Sequence, residues 1–161
     1  MPARYLFLRK DFERLERKIG ELGDEMLRVG SEMGIWASQG AETWHDNFGY
    51  EEGLRQEEML GHRSEEFEAL ASEAEIVTEV PRDRVGVGTL VELEDAKKRR
   101  RRFLVSSYLV LDRRDDREIS HAAPIIAPFM GAAVGEERTV ALPRGEQVWR
   151  VVSIEPTEIA T

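Results

Sequence analysis

The chain has 161 residues, of which 41% are hydrophobic, 34% charged and 7% aromatic, so it suits one or two small domains with ordinary cores and excludes wholesale disorder. It contains no cysteine, which excludes a disulfide scaffold, thiolate metal sites and a cysteine nucleophile. The net charge of −9 is unevenly spread: residues 1–39 carry seven basic and seven acidic residues, residues 40–80 carry two against twelve, and residues 81–161 carry fourteen against thirteen. A single acidic block is repelled by nucleic acid and attracted by cations or a basic groove, and it reads equally as a solvated helix face. No apolar run approaches the roughly 20 residues that span a bilayer. The first residues lack the pattern of a signal peptide. The expectation is a soluble, cytoplasmic protein with no membrane partner.

The first element is a helix. Leu8, Phe12, Leu15, Ile19, Leu22, Met26, Val29, Met33 and Trp36 alternate in spacings of four and three, an unbroken heptad seam. Gly20, Gly23, Gly30 and Gly34 each weaken such a helix by about 1 kcal/mol relative to alanine, so a partner must stabilise it. The second helix, near residues 48–76, supplies that partner: Leu60, Phe67 and Ala74 repeat every seven residues with Leu70 at the complementary position, while Gly53, Gln56 and Arg63 are weak stations. Two helices joined by a short polar connection run antiparallel. The spacing therefore predicts an antiparallel coiled-coil hairpin over 1–78, with its acidic tip near 40–50.

Pro81, Gly86 and Gly88 end the helical period, and strands follow over 79–161. Thr89–Leu93, Arg102–Val105, Tyr108–Asp112, Arg138–Leu142 and Val148–Ile154 are short and rich in β-branched residues, with Pro143-Arg144-Gly145 as a hairpin turn between the last two. Pro124–Met130 reads as a short helix or buried loop. The fold class expected is α+β: a helical hairpin followed by a small domain of antiparallel strands.

Three constellations carry chemistry. At the tip, Glu42 and Asp46 are four apart and Glu51 and Glu52 follow. One or two carboxylates hold Mg²⁺ only weakly unless a partner adds ligands. Trp36, Trp44, Phe48 and Tyr50 crowd the same turn, either as a contact surface or as a small core locking the hairpin. The run Lys97, Lys98, Arg99, Arg100, Arg101, Arg102 can grip phosphate or an acidic protein patch, or can alternate outward from a hairpin turn. His45, His62 and His121 lack ligand spacing, and no nucleophile elbow, zinc-protease or phosphate-loop motif occurs, so no self-contained enzyme is expected.

These residues together resemble the Gre-type transcript cleavage factors along nearly the whole chain. HDNFGY stands where that family's tip has S-E-N-x-x-Y, and RSEEFEALASEAEIV is similar to its second helix running into the linker. ISHAAPIIAPFMGAAVGEERTVALPRGEQVWRVVSIEP is similar to its S-x-x-S-P-[IL] to P-x-G stretch. The resemblance implies an FKBP-like C-terminal domain and docking on the rim of the secondary channel of bacterial RNA polymerase. It implies docking through Pro124, Ile125, Ile126 and Phe129. It also implies a tip whose acidic residues help hold the polymerase's second Mg²⁺, with no metal or cofactor of the factor's own and with an indirect contact to RNA.

The tip departs from that pattern. Asp46 occupies the position of the tip's glutamate, and Asn47 and Tyr50 keep their places, but Thr43 stands where the leading aspartate belongs. Glu42 lies one residue earlier, about 100° around a helix if that turn is helical. Trp44 adds bulk. The expectation is a monomeric, channel-binding regulator that inhibits or modulates transcription without efficient RNA cleavage. A working cleavage factor, with Glu42 in place of the missing aspartate, and a coiled-coil adaptor unrelated to polymerase are the alternatives.

Overall fold

The computed structural model describes residues 5–39 and 48–160. The order of elements is β1 (Tyr5–Leu8), α1 (Arg9–Gln39), α2 (Phe48–Glu73), β2 (Ala74–Val77), β3 (Thr89–Asp95), β4 (Arg100–Ser106), β5 (Glu118–Ser120), a 3-10 turn (Ala127–Phe129), β6 (Glu137–Leu142) and β7 (Gly145–Pro156). Two compact units result. One spans Arg14–Glu73, and the other joins the chain up to Glu13 with everything from Ala74 onward.

The helical unit follows the heptad. Leu15, Leu22, Val29 and Met33 are buried along α1, with Ile19 and Met26 half-buried between them. The weak stations of α2 are filled from the opposite helix. A Cβ built on Gly53 would lie 2.5 Å from Met33 Cγ, and one on Gly61 would lie 3.8 Å from Met26 Cε. The later α1 residue meets the earlier α2 residue, so the helices run antiparallel. Methionine suits this role because its unbranched side chain fills irregular gaps.

In the second unit a five-stranded sheet has the order β5-β4-β3-β7-β6. The β3–β4, β3–β7 and β6–β7 pairs are antiparallel, and β4–β5 is parallel. A register shift between Glu92 and Leu93 marks a bulge against β7. Val91, Leu93, Phe103, Val105, Val140, Trp149 and Val151 line its core face, covered by Val85, Ile125, Ile126 and Phe129. Gly145 closes the β6–β7 hairpin at φ +114°, a conformation that suits glycine, as the Pro-Arg-Gly turn predicts. At Gly88, φ is +97° and a Cβ would meet Val80 Cγ2 at 2.6 Å, so only glycine fits between β2 and β3.

Three expectations are corrected. The chain does not divide in a single cut near residue 79, because β1 and β2 pair in parallel as a separate two-stranded sheet within the globular unit. Leu8 accordingly packs in the sheet domain's core instead of starting the coiled-coil seam. Tyr108–Asp112 is not a strand: the Tyr108 N–H donates to Leu6 O and Ser120 Oγ donates to Tyr108 O, so this backbone is satisfied outside the ladder and Glu118–Ser120 takes the edge position beside β4.

Candidate functional site

Helix α1 ends at Gln39 and α2 begins at Phe48, so Glu42, Thr43, Trp44, Asp46 and Asn47 belong to the connection between them and lie outside the described residues. Tyr50, in the first turn of α2, is half-buried. The side chains of Trp36 and Phe48 also fall outside the described set. Among the described residues no group of histidines, aspartates and glutamates is arranged to hold a metal ion. None of the helices there is long and apolar enough to cross a membrane.

The four expected docking residues separate. Pro124 is exposed, but Ile126 and Phe129 are 0% exposed and Ile125 is 9% exposed. The 3-10 turn explains this: Ile126 N–H and Ala127 N–H both donate to Ala123 O, and Phe129 N–H donates to Ile126 O, which turns the apolar side chains inward onto the sheet. Ile126 and Phe129 are core residues. Of the four, Pro124 remains on the surface.

The basic run is not one patch. Strand alternation puts Arg100 and Arg102 on the same face as Glu94 and Glu92, their direct cross-strand neighbours. Arg102 Nε donates to Glu92 Oε2 at 2.8 Å, Arg100 Nε to Glu94 Oε2 at 2.9 Å and Arg100 NH1 to Glu92 Oε1 at 3.1 Å. Hydrogen bonds from Arg102 and Arg100 hold the Glu92 and Glu94 carboxyls below their usual range. Lys98 and Arg150 also reach Glu94, at 3.4 and 3.1 Å. Asp95 organises the turn: its carboxylate accepts from the backbone N–H groups of Lys97 and Arg99 and from Arg99 Nε, while Lys98 adopts φ 66°. Arg101 alternates to the opposite face, its guanidinium 5.3 Å from the centroid of the Phe103 ring.

A second cluster was not foreseen from the sequence. Asp11, Ser107 and Glu118 are buried, and Arg114 bridges the carboxylates: it donates to Asp11 Oδ1 and, at 2.8 Å, to Glu118 Oε1. Ser107 Oγ donates to Asp11 Oδ2 and accepts from the Leu8 N–H at 2.8 Å, and Ser106 Oγ donates to Glu118 at 2.7 Å. Burial raises the Asp11 pKa above its ordinary value, outweighing Ser107 and Arg114. Beside it the Leu6 N–H donates to Nε2 of buried His121 at 3.2 Å, and burial lowers the His121 pKa. These contacts hold β1 and the first turn of α1 to the sheet domain. Their only trace in the sequence is an Arg-Arg-Asp-Asp-Arg run that reads as a solvated turn.

The site thus defined belongs to a two-part protein: an antiparallel helical hairpin whose connection carries acidic and aromatic residues, and an α+β domain with a charged hairpin on its sheet. Residues 80–156 match the family described as the C-terminal domain of transcription elongation factors GreA/GreB. The chain is 24% identical over 164 aligned positions to the transcription elongation factor GreA of Rickettsia conorii, and likewise to that of Rickettsia felis, covering 99% of both chains in each case. The crystal structure of GreA factor homolog 1 (Gfh1) of Thermus thermophilus is similar at 24% identity and a TM-score of 0.42, covering 95% of this chain and 99% of that one. The second unit thus matches the C-terminal domain of the GreA/GreB factors, and the chain as a whole is similar to GreA proteins along nearly its full length.

Proposed function

We propose that this Gre-like transcription factor binds bacterial RNA polymerase at the secondary channel as a monomer in the cytoplasm and modulates transcription without efficient RNA cleavage. The observation that carries the reading is the tip: Asp46 stands at the position of the family's glutamate, but Thr43 replaces the leading aspartate. The helix ends at Gln39 and Phe48 support it, because they leave these residues on the connection of an antiparallel hairpin, where a rod can present them to a partner.

The chemistry follows from the metal. A two-metal site cleaves by holding the attacking and leaving oxygens between two cations, and the polymerase owns that reaction. A factor contributes only ligands to the second cation. Mg²⁺ demands near-octahedral oxygen coordination, and a single aspartate, one methylene shorter than glutamate, is a poor substitute for a pair. A tip with one carboxylate therefore occupies the channel without completing the site. Obstruction of nucleotide access, or competition with other channel factors, is the result.

The test pairs two assays with purified RNA polymerase: binding, then RNA cleavage in a backtracked complex with Mg²⁺. Binding with little cleavage, and cleavage that rises in Thr43→Asp, is the expected outcome. Robust cleavage by the wild-type chain, lost in Glu42→Ala or Asp46→Ala, would overturn the non-cleaving reading in favour of Glu42 acting as the second carboxylate. Absence of binding would leave an adaptor with another partner.

A further inference from the structure

The outer face of the β3–β4 hairpin carries its charge in two layers. Four cations, Lys98, Arg100, Arg102 and Arg150, share two carboxylates, Glu92 and Glu94. The carboxylates lie beneath, 13% and 5% exposed, while the cations above them are between 44% and 78% exposed. A ligand approaching this face therefore meets positive charge first. Lys97, exposed on the adjoining turn, makes no ion pair among the described residues, so it adds a further cation to the excess. The exposed Glu137 lies opposite Arg150 on β6, which concentrates the excess on β4 and the turn. Arg102 meets Glu92 through Nε and Arg150 meets Glu94 through one amino group, leaving the other N–H groups of both guanidiniums for a further acceptor.

We propose that this face binds the sugar-phosphate backbone of a nucleic acid strand, its phosphates accepting from Lys97, Lys98, Arg100 and Arg102, without reading the bases. The inference goes beyond the polymerase-binding reading and stands without it. The largely buried carboxylates fix the guanidiniums before any ligand arrives, so little side-chain freedom is lost on contact, and a planar fork matches phosphate oxygens. Arg100 and Arg102 share one face of β4 two residues apart, a separation of about 7 Å, close to the repeat of phosphates along an extended strand. An acidic protein segment has no such fixed repeat of charge and fits this row less well. Phe103 and Trp149, on the opposite face of the sheet, are buried, so they offer no ring for base stacking and the contact is independent of sequence. The acidic excess of the chain falls within residues 40–80, outside this hairpin.

Fluorescence anisotropy of a short labelled RNA single strand, and of DNA of the same sequence, with the full-length chain tests the assignment across a salt series. A dissociation constant of about 1–100 μM near physiological salt is expected, tightening as salt falls. Neutralising about three or four phosphates predicts a slope of log K against log salt of about −2 to −3. Lys98→Gln combined with Arg102→Gln should weaken binding about tenfold at low salt and flatten the slope by about 1. Arg102→Lys keeps the charge and should retain most of the affinity. Arg84→Gln combined with Arg138→Gln removes as much charge elsewhere on the domain and should change binding less than about twofold. Lys98 and Arg102 are exposed, so their variants keep the fold, which thermal unfolding checks. Absence of binding to either strand at low salt overturns the site. Equal losses in the two double variants overturn it in favour of a charge effect of the whole domain. A polyglutamate peptide that displaces the RNA at equal charge concentration overturns it in favour of an acidic protein partner. A preference of more than about tenfold for RNA or for DNA overturns a contact confined to the phosphates.

Discussion

Replacing Gly20, Gly23, Gly30 and Gly34 with alanine should stabilise the helical unit. A Cβ at each of these positions meets nothing within 4 Å, so alanine introduces no clash. Glycine in a helix interior costs about 0.5–1 kcal/mol relative to alanine, chiefly in backbone entropy. The four substitutions together should contribute about 2–4 kcal/mol, near the simple total because most of the sites share no partners. Gly53 should behave oppositely. Its added Cβ would sit 2.5 Å from Met33 Cγ and 3.1 Å from Met33 Sδ, and Met33 is itself buried against α2. Overpacking costs about 1–3 kcal/mol, which exceeds the gain in helix propensity, so Gly53→Ala should destabilise the hairpin. Urea unfolding followed by far-ultraviolet circular dichroism, with hydrogen exchange of the α1 amides, measures both. An unchanged or lower urea midpoint in the quadruple variant, or a stabilised Gly53→Ala, would refute the reasoning.

Arg114→Gln removes the cation between two buried carboxylates and should destabilise the sheet domain by about 3 kcal/mol, the lower end for a broken buried pair because Arg114 is itself a third exposed. A loss below about 1 kcal/mol in denaturant unfolding would show that water replaces the guanidinium. His121, whose pKa burial lowers below 6.5, binds fewer protons folded than unfolded, so its contribution to stability is full above that value and declines as pH falls through and below it. Asp11, raised above 3.8 by burial, acts with the opposite sign, its contribution full below 3.8 and lost as pH rises through its folded pKa. His121→Gln keeps an acceptor for the Leu6 N–H without titrating, so its unfolding free energy should vary less than the wild type's between about pH 7 and about pH 5; identical slopes would show that His121 is not the responsible group. Phe129→Ala should cost about 3–5 kcal/mol in stability, whereas Pro124→Ala should leave stability nearly unchanged, as circular dichroism melts of the two variants will show.

Much of the architecture was legible because local spacing encodes it. The four-three rhythm of α1 states which side chains share a face, and the structure buries Leu15, Leu22, Val29 and Met33 on it. Strands β3, β4, β6 and β7 came from β-branched runs and turn residues, and the Pro-Arg-Gly turn set the last hairpin. The candidate site was less legible. The run of six cations carries no mark of its own to distinguish Arg101 from Arg100 and Arg102; only the pleat, together with Glu92 and Glu94 across the ladder, separates them. The stretch around Pro124 reads as an apolar surface or as a core segment with equal ease, and the sheet beneath it decides for the core.

The sequence by itself determined the two-part organisation, the heptad hairpin, the acidic connection with Asp46 and without a leading aspartate, and the resemblance to Gre-type factors. Each of these depends on residues close together along the chain, where spacing alone states which side chains fall on one face. The tertiary structure decided which residues are exposed and how the chain's beginning is held. Leu8 meets Ser107 across 99 residues and Asp11 meets Arg114 across 103, and no local pattern announces contacts at that separation. Burial of Ile126, pairing of Arg102 and exposure of Arg101 are likewise consequences of what the sheet brings opposite each residue, not of the residue itself.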